Sequence, residues 1–449
     1  MSENVVFRGL SLVDDGWTHV LEYLQVDSEA LDRSAREEKA LVRRRQIVSG
    51  SDLLRLGLAY ALQCRNLMEV AYWANCHAVA NISAVGLYYR LRACSTWVGR
   101  LLATRLVERQ VWLGQTPARL RLVDATTVSK PGSTGTDFRI HLSLDLGRMC
   151  LDEVGVTDAR GAETLLRHYS RPGDIIVADA GYAQPQGLGE VISAGGQLVV
   201  RGNWQNLSLR LPSGGSFDVC AWLRQLPAGD LAECALLLPT RSGVHPIRFI
   251  ARRLTTKSAE AARQRCYVQA RKKKHKIDPR TLLAAGFALL VSNLPQASWP
   301  TEAVAQVYRL RWQIEVHIKR LKGILHLDQL RIQGPDLAQT YLLCKLLAAF
   351  VVDQIMLELR KHIPSWFESK DRPVSIWRLT CLAKDYIVQA ICGPPPTDID
   401  QLILPGCERY LRDTPRKRQR QSVQAMTLPC DYYQNASQLP LPKPLQSYP

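Results

Sequence analysis

The sequence predicts an α/β fold: a mixed-sheet core with a β-rich insertion, flanked by an N-terminal helical bundle and C-terminal helices. Two observations predict it. The apolar spacing changes near residue 118, from every third or fourth position to near-alternation. The strand-like runs that follow are broken by helical ones in the order βββαβαβ. With 449 residues, 46% of them hydrophobic, the chain can build a sizeable core without disulfides or a structural metal.

Residues 1–115 read as helices, with Leu21, Leu24, Leu53, Leu54, Leu58, Ala61 and Leu62 at helical spacing. Ser51-Asp52 and Ser83 stand where helix caps belong. The run Arg43-Arg44-Arg45 and the other arginines suit a DNA-binding bundle or, equally, a solvated helical cap. From 118, RLRLVDATTV reads as a strand, and FRIHLSLDL and MCLDEVGVTD read as a hairpin turning at Gly147-Arg148. GAETLLRHYS reads as a short helix and DIIVADAGY as an apolar strand ending in a loop. PQGLGEVISAGG then reads as a helix and QLVVRGN as a strand.

Residues 202–285 read as the β-rich insertion, with SLRLPSG, DVCAWL, AECALLL and VHPIRFIARRL as short strands before the basic run RKKKHK. FALLVSNL resumes the sheet, and a long helix is expected over 301–325. Residues 331–410 form a helical C-terminal region, with helices over 337–362 and 372–392. The apolar stretch 341–359 suits either a dimer face or a buried core helix. Residues 411–449 read as a basic, proline-containing tail.

Lys+Arg 58 against Asp+Glu 41 leaves a net charge of +17 and a pI near 9.5, which favours a polyanionic partner, nucleic acid first. No apolar run of membrane-spanning length is present, and no secretory signal is expected at the N-terminus. The twelve cysteines, scattered from Cys64 to Cys430 without CxxC pairs, read as reduced thiols of a cytoplasmic protein. None of the nine histidines sits at metal or triad spacing, so His141, His317 and His326 are expected to pack or to touch phosphate. Cys64, Cys76 and His77 lack a fourth partner at zinc-site spacing.

Asp124 closes the apolar run RLRLV and Asp179 closes DIIVA. Open α/β sheets bind ligands at the carboxyl ends of strands, so the two acids can meet at one sheet edge. Two carboxylates there repel unless a cation or proton intervenes, and a divalent metal is the economical answer. The bland alternative is that each aspartate is a turn former or helix cap. The 301–325 helix adds weight. At about 100° per residue, Arg311, Glu315, Lys319 and Lys322 all fall within about 60° of Tyr308. Val307, Ile314, Ile318, Leu321 and Leu325 form an apolar stripe beside them. One stripe thus carries an acid for a metal and cations for phosphate, unless it is simply a salt-bridged surface helix.

The spacing Tyr308-x2-Arg311-x3-Glu315-x6-Lys322, within YRLRWQIEVHIKRLKG, resembles the Y-R-E-K signature of bacterial insertion-sequence DDE transposases. VDATTV around Asp124 and VADAGYA around Asp179 resemble the two aspartate segments of that family, and the likeness covers roughly 118–330. It implies a ribonuclease H-like catalytic core spanning 118–330, in which Asp124, Asp179 and Glu315 are catalytic and bind two Mg²⁺ ions, Mn²⁺ substituting. It implies cleavage at transposon ends and joining to target DNA by hydrolysis and transesterification. The implied partners are double-stranded DNA (terminal inverted repeats and target) and a second copy of the chain, as a homodimer in the cytoplasm at the nucleoid. Tyr308, Arg311, Lys319 and Lys322 would hold DNA, and Trp204, Trp222 or Trp299 would stack on a flipped base. The rival readings are a domesticated, non-catalytic descendant, a nuclease of the same core acting on structured DNA, and a non-enzymatic DNA-binding regulator.

Overall fold

The computed structural model describes residues 16–43, 45–63, 65–113, 119–227, 231–368, 374–392 and 411–412. Arg44, Cys64 and all but Leu411 and Arg412 of the expected tail lie outside the described residues. The N-terminal part forms α1 (Gly16–Leu24), α2 (Ser28–Glu37), α3 (Gly50–Leu62), α4 (Leu67–Cys76), α5 (Ala84–Arg92) and α6 (Ser95–Trp112). Side chains that accept the first free N–H groups set several starts. Asn66 and Glu69 make a reciprocal capping box on α4, and Ser83 caps α5 as expected. The cap of α3 is Ser49, which accepts from the Asp52 N–H, while buried Ser51 accepts instead from the Trp17 indole.

The strands are β1 (Arg119–Val128), β2 (Phe138–Asp145), β3 (Cys150–Asp158), β4 (Asp174–Ala178), β5 (Gln197–Arg201), β6 (Leu231–Thr240), β7 (Gly243–Arg253) and β8 (Phe287–Ser292). They make one eight-stranded mixed sheet in the order β3-β2-β1-β4-β5-β8-β7-β6. β1, β2 and β3 form an antiparallel meander, and β4 and β5 lie parallel to β1. This is a mixed sheet flanked by helices, the α/β class the sequence predicts. Strands β4 and β5 are apolar and buried on both faces, as parallel strands under helices must be. α7 (Pro185–Ser193) crosses between them, with proline in its first turn.

The insertion departs from expectation in three places. Its hairpin β6–β7 pairs on to β8 and extends the central sheet. DVCAWL is helical: Asp218 accepts from the N–H groups of Cys220 and Ala221 and caps α8 (Val219–Gln225), overriding the strand-like composition. RKKKHK finishes α9 (Thr256–Lys273), a helix that buries only Ala259 and Ala270, and runs on past it. α10 (Pro279–Ala284) leads into β8. Upstream, GAETLLRHYS makes only a 3₁₀ turn at Leu165–Arg167.

The helix expected over 301–325 is two: α11 (Thr301–Arg309) and α12 (Trp312–Ile324). At the joint the N–H groups of Leu310 and Arg311 bond three residues back, to Val307 and Tyr308, so the turn is tightened rather than broken. α13 (Pro335–His362), α14 (Pro364–Glu368) and α15 (Ile376–Cys392) follow. α13 is buried along most of its length between α3, α5 and α6 on one side and β3 on the other. The 341–359 stretch is therefore a core helix of this chain. A single apolar cluster runs from Leu53 and Trp97 through Leu346 and Phe350 to Leu142 and Val177. A second core, with Val123, Ile176, Ala178 and Val200, fills the opposite face of the sheet. Among the described residues no helix is long and apolar enough to cross a membrane.

Candidate active site

Strand register places the two aspartates. Val123 pairs with Ala178 across β1 and β4, and Ala178 with Val200 across β4 and β5. The next residues along these three strands are Asp124, Asp179 and Arg201, abreast at one edge. Asp124 does not end its strand, since β1 continues against β2 to Val128. It is β4 that stops, at Ala178, and leaves Asp124 facing an open edge. Because strand side chains alternate, Asp124 shares a face with Leu122, and Asp179 continues the face of Val177. Those apolar residues belong to the larger core, beneath α11 and α12.

The other end of these strands is pinned by buried ions. Arg119 forks on to both oxygens of Asp174 at 2.8 and 2.9 Å, and Arg121 donates to Asp152 at 2.6 Å and Glu153 at 2.8 Å. Removing one partner of such a buried set costs about 3–5 kcal/mol. The register that aligns Asp124 with Asp179 is accordingly stiff.

The helices supply the rest. Tyr308 donates its hydroxyl to Asp179 at 3.2 Å. Arg311 donates to Glu315 at 2.6 Å, stands 3.8 Å from Asp124, and lies 5.8 Å from the Tyr308 ring centre. Asp124, Asp179, Tyr308, Arg311 and Glu315 thus form one cluster. The tightened joint preserves the expected stripe, and Val307, Ile314, Ile318, Leu321 and Leu325 are all buried behind it. Lys319 is exposed and Lys322 half-buried further along α12, and neither has an ion-pair partner among the described residues.

Burial raises the Asp124 carboxyl to about 6, with the carboxylates of Asp179 and Glu163 adding to the rise and Arg311 opposing it. Burial likewise lifts the Tyr308 phenol to about 12, helped by Asp179. Burial works against the Arg311 charge, but Tyr308, Asp179 and Glu315 overcome it and hold the guanidinium firmly protonated. Among the described residues no three His, Cys, Asp or Glu side chains are disposed to hold an ion as they stand. The guanidinium of Arg311 reaches both Glu315 and Asp124. The donors nonetheless fit a hard divalent cation: carboxylate oxygens only, with Asp124 and Asp179 abreast at one sheet edge.

Two neighbours escaped the sequence reading. Arg201 stands 3.9 Å from Asp179, and its signal was present, a charge closing the apolar run QLVV. Glu163 is held by Arg139 at 3.0 Å and lies against Gly181, where a Cβ would fall 2.5 Å from its carboxylate. Nothing in the sequence pointed to Glu163, because a loop carries it there. The three tryptophans considered for base stacking are engaged elsewhere. Trp299 is buried, Trp222 packs on Phe217 and Phe249, and Trp204 lies under the Arg280 guanidinium at 4.8 Å. His141 and His317 are buried against Thr157 and Arg320, and His141 pairs with Ala125, the residue after Asp124.

The family described as Transposase DDE domain matches residues 115–351, which contain every residue of this cluster. InsL of insertion sequence element IS186A in Escherichia coli strain K12 is 38% identical over 349 residues, covering 76% of this chain and 94% of that protein. The transposase for insertion sequence element IS421 of Escherichia coli is 38% identical over 350 residues, with the same coverage. Among solved structures, the piggyBac transposase synaptic complex with hairpin DNA is similar at a TM-score of 0.46 and 12% identity, covering 97% of this chain and 87% of that one. With a family match over more than half its length and such relatives over nearly all of theirs, this chain belongs to the DDE transposases of bacterial insertion sequences, and it is a DNA transposase.

Proposed function

We propose that Asp124, Asp179 and Glu315 are the catalytic acids of this transposase, that they hold two Mg²⁺ ions (Mn²⁺ substituting), and that they serve strand cleavage at the element's ends and strand transfer into target DNA. The observation that carries the reading is the register pairing that sets Asp124 beside Asp179 under a helix bearing Glu315. Asp124, Asp179 and Glu315 would hold the divalent ions, which would supply Lewis acidity for the attacking and leaving oxygens of a displacement at phosphorus. The chain's own groups do the rest. Tyr308 orients Asp179 through its hydroxyl. Arg311, Lys319 and Lys322 present cations along α12 for backbone phosphates, whose oxygens accept such donors. The stiff strand ends hold the acids in place without needing DNA.

The substrates in this reading are the terminal inverted repeats and target DNA, both double-stranded, and two copies of the chain act on paired ends at the nucleoid in the cytoplasm. The +17 charge, the exposed basic helix α9 and the arginine-bearing N-terminal helices support it. The purified chain, incubated with DNA carrying the element's ends, should cleave with Mg²⁺ or Mn²⁺ and stop with chelator. Binding without metal-dependent cleavage would favour a domesticated, non-catalytic descendant. Cleavage of branched DNA in preference to ends would favour a structure-specific nuclease.

A further inference from the structure

Among the described residues two cations stand against the acids. Arg201, from β5, leans on Asp179 at 3.9 Å. Arg311, from the joint between α11 and α12, is far more engaged: it donates to Glu315 at 2.6 Å and reaches to 3.8 Å from Asp124. Its side chain is 16% exposed, its Nε has no hydrogen-bond partner among the described residues, and the Tyr308 ring lies beside it. Lys319 and Lys322 on the same helix make no ion pair among the described residues. Among the described residues, Arg311 alone is committed to two of the acids. Its fork pairs as well with a phosphate as with a carboxylate.

We propose that Arg311 is a resident stand-in for the cation: in free protein it holds Glu315 and leans on Asp124, and a DNA phosphate must draw it away before those acids take a divalent ion. Backbone engagement would then load the metal site, and the chain would stay unarmed off DNA. Arg311 is on this view a positioning residue that couples two binding events, and coupling of this kind is reciprocal. The inference rests on the acids being the metal ligands, and the test separates the two.

The experiment titrates Mn²⁺ into the full chain, with and without a short 5′-phosphorylated duplex, reading free Mn²⁺ by electron paramagnetic resonance. Without DNA, Arg311→Gln should bind Mn²⁺ at least about fivefold tighter than wild type, the low end of ordinary coupling. Adding the duplex should tighten wild-type binding and leave Arg311→Gln nearly unchanged. Should Arg311→Gln lose its fold by thermal melt, Arg311→Lys carries the same test. It keeps the charge without the fork and should gain less, but still gain. A folded variant that binds Mn²⁺ no tighter than wild type overturns the proposal. Glu315→Gln identifies the cause: if it weakens Mn²⁺ binding while the Arg311 variants gain nothing, the stand-in alone fails. If it leaves Mn²⁺ binding unchanged, the metal assignment falls and takes this inference with it.

Discussion

Asp124 and Asp179 stand side by side because the residues just before them, Val123 and Ala178, are the last register pair between the parallel strands β1 and β4. The acids inherit their spacing from the sheet, at about 4.8 Å between neighbouring strands. The sheet in turn takes its register from the buried Arg119–Asp174 and Arg121–Asp152 pairs at the other end. Placement of the acids is therefore a property of the fold, and changes at either end of these strands should separate into effects on stability and effects on chemistry.

Gly181 tests one side of the site. A Cβ there would meet Glu163 Oε2 at 2.5 Å, so Gly181→Ala should push Glu163 off Arg139 and disturb the loop that begins at Asp179. Cleavage should fall while the melting temperature barely moves. The double variant Gly181→Ala, Glu163→Ala restores the space and should recover part of the lost rate. Equal rates for the single and double variants would remove the steric link.

Lys319 and Lys322 test the phosphate stripe. Each substitution to alanine should weaken duplex binding about equally for end and non-end sequences. It should also flatten the slope of log affinity against log salt by about 1 for each lost contact. Fluorescence anisotropy across a salt series reads both quantities, and an unchanged slope would place the phosphates elsewhere.

His141 predicts acid lability. It is buried, donor or acceptor to Thr157, and its pKa is pushed down to about 4 by burial first, then by Arg167, His168 and Arg139. Between about pH 4 and 6.5 the unfolded chain binds a proton that the folded chain refuses, so stability rises with pH across that window and is lost on acidification. Buried His317, pushed below its ordinary value by burial and then Arg320, acts in the same direction. His141→Gln should narrow the gap between melting temperatures measured at about pH 5 and about pH 7.5. A gap as wide as in wild type would assign the lability to other groups.

The N-terminal helices invite a deletion. Their separation as a DNA-binding module over 1–115 is an attractive reading of the sequence, but the core they share argues against a clean cut. Tyr60 meets Tyr341 edge-on, Gly57 faces Cys344, and Gly99 faces Leu343. A fragment starting at residue 119 uncovers that side of α13 and should be insoluble or partly unfolded by circular dichroism. A soluble fragment melting like the full chain would show two independent units.

How much of this was legible in the sequence can be read from particular residues. Asp124 and Asp179 were visible because each follows an apolar run, and polarity at the end of a buried strand is informative. The stripe on α11 and α12 was visible because helical periodicity survives one tightened turn, as the buried Val307, Ile314 and Leu321 attest. The tightened turn itself was not, because Leu310 and Arg311 are ordinary helix formers. Val219–Gln225 was misread as a strand because its apolar composition outweighed Asp218, whose capping bonds decide the outcome. The joining of β6 and β7 to β8 depends on long-range pairing, which no local pattern encodes. Glu163 was invisible for the same reason: its neighbours are set by the fold.

Replacing each acid by cysteine gives the most direct measurement of whether these three side chains touch the metal. Thiolate is a poor ligand for Mg²⁺ and a better one for softer ions. Asp124→Cys, Asp179→Cys and Glu315→Cys are expected to bind DNA ends, to fail to cleave them in Mg²⁺, and to regain part of the cleavage in Mn²⁺ or Cd²⁺. Cleavage in Mg²⁺ at the wild-type rate by any one of them would contradict its assignment to the site.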